Sequence, residues 1–220
     1  MNKTKNYNEL KQRQRNERSD YSPNLGIRVH RALSWLNKAE QCTDHDSKFT
    51  FLWIAFNSAY AQEFEQKLVY GEKGLYQEFL DKLVSVDATN KLHNIVWSEY
   101  AGTIRLILEN EFILQSYWDF QSERISEQDW KNHRSKAKTA ASKALGQCNT
   151  AVVLSILFSR LYTLRNQIIH GGATFNSSAN RKQLRDCTSI LEMLIPNIIE
   201  LMMDNKSVLW GAPVYPLIQS

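Results

Sequence analysis

A chain of 220 residues, 43% hydrophobic and 11% aromatic, carries enough material for one sizeable packed domain or two small ones. Eight glycines and four prolines are few for that length and favour long helices over strands and turns, while a net charge of +4 permits an anionic partner without requiring one. Three scattered cysteines (Cys42, Cys148, Cys187) with no Cys-x-x-Cys pair argue against a disulfide framework or structural zinc, and the lack of an apolar leader or of an apolar run near the ~18 residues of a membrane span points to a cytoplasmic protein with no membrane association.

Residues 1–22 are polar and charge-rich and read as a flexible or loosely helical arm, more often a solvated terminus than a nucleic-acid contact. From Leu25 the pattern turns helical, with Ile27, Ala32, Leu33, Leu36 and Ala39 on or near one face. "TDHDS" breaks it and offers Asp46 or Ser47 as the next cap; Cys42 and His45 beside it have no second ligand pair to complete a metal site. The following helix is apolar almost all round from Phe49 to Ala61, as in a helix contacted on several sides. Asn57 lies inside it and needs partners, either on neighbouring helices or in a site.

"GLYQEFLDKLVSVD" and "NKLHNIVWSEYAGTIRLILENEFIL" both read as amphipathic, the second as one long helix or two. "QSYWDFQSERISEQDW" is aromatic and acidic and contains a turn. "KNHRSKAKTAASKAL" is helical by propensity and strongly basic; Lys131, Arg134, Lys136, Lys138 and Lys143 suit a solvated face better than a phosphate-binding one, because no aromatics interleave with them. The helix "NTAVVLSILFSRLYTLRNQIIH" has Asn149 or Thr150 as its cap and Gly171 or Gly172 to end it in a left-handed turn. A last long helix contains Pro196, which should kink or divide it, and the tail "KSVLWGAPVYPLIQS" reads as an irregular strap. With no strand-period segment and no linker, the expected architecture is all-α: a single helical bundle over residues 23–205 with an elaborated middle segment, followed by a C-terminal tail over 206–220.

Phosphate loops, HExxH helices and GxSxG elbows are missing from the sequence, so no cofactor or metal is expected. What stands out is Arg165, Asn166 and His170 at the end of an otherwise apolar helix. Asn166 and His170 are i,i+4 neighbours, and the long Arg165 side chain can swing toward them. Arginine binds phosphate bidentately, histidine moves protons near neutral pH, and asparagine orients either group. The set suits metal-independent RNA cleavage, in which a 2'-hydroxyl attacks phosphorus and the 5'-oxygen leaves protonated. A His in the last turn also simply stabilises a helix C-terminus, and twelve arginines with five histidines produce about one such spacing by chance.

The residues "RNQIIHGG" resemble the RNxxxH form of the Arg-x(4–6)-His motif of the HEPN superfamily. "LYTLRNQIIHGGATFNSSANRKQLRD" with its following apolar helix, and "FTFLWIAFNSAYAQE" upstream, are similar to stand-alone prokaryotic HEPN-domain proteins. The likeness spans residues 25–205 and is strongest over 49–63 and 158–203. It implies a HEPN-type all-α bundle and a metal-independent endoribonuclease with Arg165 and His170 as the catalytic pair and Asn166 aiding orientation or substrate contact. It further implies a homodimer acting on RNA, single-stranded by preference, in a toxin–antitoxin or phage-defence setting with an antitoxin protein as a possible partner. The alternative within the same family is a non-catalytic module that binds nucleotide, RNA or protein. Residues 66–148 exceed what a minimal bundle requires and read as an insertion or a partner surface.

Overall fold

A computed structural model describes residues 4–61, 76–178 and 181–215, and all regular structure among them is helical. The elements are α1 (Tyr7–Glu17), α2 (Pro23–Glu40), α3 (His45–Tyr60), α4 (residues 76–85), α5 (Lys91–Asn94), α6 (Ala101–Glu109), α7 (Gln115–Gln121), α8 (Glu127–Gly146), α9 (Thr150–Ile169) and α10 (Arg181–Asp204). No helix among the described residues is long and apolar enough to cross a membrane.

The chain divides into two compact units, residues 1–92 with 188–220, and residues 93–187. The sequence pattern, lacking a linker, reads as one domain over 23–205. The boundary between the two units falls beside Leu92 and inside α10, where no Pro- or Gly-rich stretch marks it.

In the first unit, α2 packs on α3, and the short connection Gln41–Asp44 makes them antiparallel neighbours. α2 buries Leu25, Val29, Ala32, Leu33, Leu36 and Ala39, the three- and four-residue spacing of one helix face. α3 buries Phe49, Leu52, Trp53, Ala55, Phe56, Ala59 and Tyr60, consistent with an apolar pattern on most sides. Its cap is Asp44, not Asp46 or Ser47: Asp44 is the residue with extended backbone, and its carboxylate accepts the Ser47 N–H at 2.7 Å. The segment expected to be an arm carries α1, opened by a capping box between Asn6 and Glu9 and packed on α2 with Leu10 fully buried. α10 runs unbroken through Pro196, so the proline does not divide it. The lost N–H and ring clash cost about 3 kcal/mol. Burial of Leu191, Leu194, Ile195, Ile198 and Ile199 around it is more than large enough to offset that.

Beyond α10 the chain is irregular. Trp210 is buried against Phe79, and residues 211–215 are held by arginines of α2. Arg28, fully buried, donates to the carbonyls of Ala59, Gly211 and Ala212, and Arg31 to those of Val214 and Tyr215.

In the second unit, α9 meets α6, α8, the π turn at Ile95–Glu99 and the 3-10 turn at Glu111–Ile113. The amphipathic stretch from Asn90 is divided rather than one long helix: the π turn separates α5 from α6. α8 and α9 form a hairpin joined by Gln147–Asn149.

Candidate functional site

α9 starts at Asn149, whose side chain accepts the Val152 N–H at 3.1 Å. Val153, Leu154, Leu157, Phe158, Leu161 and Leu164 are buried, so the helix is anchored along its length up to the candidate residues. Its end is a Schellman turn. The Gly171 N–H donates to Ile168 O at 3.2 Å and the Gly172 N–H to Gln167 O at 2.7 Å. Gly171 takes the left-handed conformation at φ +71°. At Gly172 a Cβ would lie 3.0 Å from Gln167 O. Both glycines of "HGG" therefore have a defined task, and they leave His170 as the C-cap residue, exposed, with its N–H on Asn166 O at 3.0 Å.

Arg165 and Asn166 are half-buried just before it. Arg165 Nη1 donates to Asn166 Oδ1 at 2.9 Å, so the asparagine braces the arginine rather than the histidine. Arg165 Nε is enclosed and has no hydrogen-bond partner, and Arg165 makes no ion pair among the described residues. Its charge is thus uncompensated by any described carboxylate, and its second terminal nitrogen, Nη2, carries no hydrogen bond among the described residues and can meet an anion. At 100° per residue, Asn166, His170 and Gln167 follow one another round the helix within about 100°, and Arg165 reaches back across the remaining gap.

Gln167, which belongs to no motif in the sequence, fixes the neighbourhood. Its Nε2 donates to the carbonyl of Phe112 at 2.8 Å, and Trp118 Nε1 donates to the same carbonyl at 2.7 Å. Glu111, beside Phe112, pairs with Arg134 of α8 at 2.8 Å. The basic residues Lys131, Arg134, Lys136, Lys138 and Lys143 are exposed on α8, and Lys131 also pairs with Glu127. Although the basic run lacks interleaved aromatics, the fold brings them: Trp130 lies one turn before Arg134, whose guanidinium sits 6.0 Å from its ring centre. The i,i+4 spacing of Trp130 and Arg134 was the available sequence signal; the approach of residues 111–118 had none.

Asn57 lies in the first unit, half-buried, with an enclosed Oδ1 that makes no hydrogen bond among the described residues. No three His, Cys, Asp or Glu side chains converge as a metal centre among the described residues. Residues 66–75 of the elaborated middle lie outside the described residues. No family model, curated protein or solved structure matches the chain.

Proposed function

We propose that this chain is a metal-independent endoribonuclease of the HEPN type, with Arg165, Asn166 and His170 as its catalytic set. The observation that carries this reading is the pairing at the end of α9: an arginine braced by its neighbour and free of carboxylates, next to an exposed histidine held at a glycine-locked helix end. An RNA 2'-hydroxyl gives its proton to water, and its oxygen attacks the adjacent phosphorus. Arg165 carries the charge that builds on the phosphorane. The bond from phosphorus to the 5'-oxygen breaks, and His170 protonates that oxygen. The products are a 2',3'-cyclic phosphate and a 5'-hydroxyl.

The resemblance of "RNQIIHGG" to HEPN motifs supports the same reading and extends it to a cytoplasmic homodimer with two motifs across one cleft, in a toxin–antitoxin or phage-defence setting. The test is end-group analysis of RNA incubated with purified protein in EDTA. Cyclic-phosphate and 5'-hydroxyl ends support the mechanism. Ends bearing a 3'-hydroxyl and 5'-phosphate, formed only when metal is restored, contradict it.

A further inference from the structure

The aromatic cluster beside Gln167 has no role in bond cleavage, yet it is built against the same helix end. Phe112 is 39% exposed. Its backbone is pinned from two sides, because its carbonyl accepts both the Gln167 amide of α9 and the Trp118 indole N–H of α7. Its ring meets Tyr117 edge-on at 5.2 Å; Tyr117 in turn meets Trp118 at 5.3 Å and Trp130 at 5.5 Å. Trp130 is buried at the base, while Tyr117 and Trp118 are half-buried. Arg134 of α8 borders the cluster, 6.0 Å from the Trp130 ring centre and tied to Glu111, and Lys131, the residue after Trp130, is exposed on the same helix and paired with Glu127.

A lone exposed phenylalanine is ordinary on a protein surface. This one differs because its ring is held in a chain of edge-on contacts and its main chain is fixed, so little entropy is lost when a flat ligand stacks on it. Round α9, Gln167 is next to His170 on the side away from Arg165. The order across the surface is therefore Arg165, Asn166, His170, Gln167, then the Phe112 turn. An aromatic face flanked by cations and adjoining a phosphate-directed arginine and histidine matches a nucleobase and its backbone. Duplex bases are stacked inside and cannot reach such a face, so the ligand is single-stranded.

We infer that Phe112, supported by Tyr117 and Trp118, is a stacking platform for one base of single-stranded RNA, with Lys131 and Arg134 meeting its phosphates. The inference rests on the nuclease reading for the identity of the ligand and deepens it by naming how the strand is held.

The test measures binding separately from cleavage. A fluorescein-labelled single strand of about ten nucleotides is titrated against full-length His170→Ala protein, and fluorescence anisotropy is read. Adding Phe112→Ala or Phe112→Leu should weaken binding about tenfold, the size of one lost base–aromatic stack. Phe112→Tyr should restore it, and thermal midpoints should match throughout. Phe112→Leu binding as tightly as the parent, or no binding of the strand by the parent at all, overturns the platform. Cleavage by the His170-intact chain with no Phe112 effect would sink the platform alone. Phe112-dependent binding without any cleavage would sink the nuclease reading alone.

Discussion

Arg165 is braced by Asn166 through a single 2.9 Å hydrogen bond from Nη1 to Oδ1. Residues adjacent in a helix point about 100° apart, so this contact exists only because the arginine is long enough to fold back. The consequence is a guanidinium held on the same side of the helix end as His170. Asn166→Ala removes the brace without emptying a core. We expect RNA cleavage to fall about ten- to a hundredfold, with stability within about 0.5 kcal/mol of the parent. Parallel kinetic and urea-unfolding measurements check both halves; a stability loss with unchanged cleavage would make Asn166 a structural residue only.

The helix stop makes a second prediction. Gly171 occupies left-handed backbone, where a side chain costs about 1 kcal/mol. At Gly172 a methyl group would press on Gln167 O from 3.0 Å. Gly171→Ala should lower unfolding free energy by about 1 kcal/mol, Gly171→Asn by less, since asparagine tolerates this conformation. Equal midpoints for all three chains in urea would remove the Schellman turn from the explanation of where His170 sits.

The C-terminal strap depends on Arg28. Burial, helped by Arg31, pushes this arginine's pKa down to about 10, but it stays charged at neutral pH and serves three carbonyls. Arg28→Met leaves those acceptors unmatched and should cost about 3 kcal/mol. Arg28→Lys should recover little, because an ammonium group cannot fork to three separated oxygens. Urea unfolding gives the cost, and limited proteolysis within 209–215 reports release of the strap.

Acid stability offers a fourth measurement. Glu200 lies among Lys5, Lys91 and Arg13. Burial pulls its carboxyl upward, but hydrogen bonds from Lys5 and Lys91 outweigh this and hold it below the ordinary 4.5. A depressed folded-state value means that Glu200 contributes its stability above about pH 4.5 and loses it as the pH falls through the lower folded value. Glu200→Gln should therefore be less stable than the parent at pH 7, with the difference shrinking below pH 4. A gap that stays constant from pH 7 to about pH 3 would show that the ion pairs with Glu200 do not matter.

Local patterns in the sequence were enough for the helical class and for the helix end. The face of α2 through Ala32, Leu33, Leu36 and Ala39 is buried as the periodicity requires, and "HGG" stops α9 where it should. Ile27 is only half-buried, and the neighbouring Arg28 is inside instead. No local signal could show this, since the carbonyls that hold Arg28 come from residues 59, 211 and 212. Pro196 does not divide α10 for a related reason: its local cost is visible in the sequence, whereas the packing that offsets it is not. At the candidate site, the spacing of Asn166 and His170 was legible, but the Arg165–Asn166 bond and the Gln167–Phe112 bond were not. The first depends on a rotamer, the second on a partner fifty-five residues away.

The most direct test of the central claim is the rate of RNA cleavage in EDTA by the parent, His170→Ala and Arg165→Ala, purified in parallel and matched for thermal midpoint. The expected result is metal-resistant cleavage by the parent and a loss of at least about a hundredfold in each variant. Equal cleavage by all three, or none by the folded parent on single-stranded RNA, would contradict it.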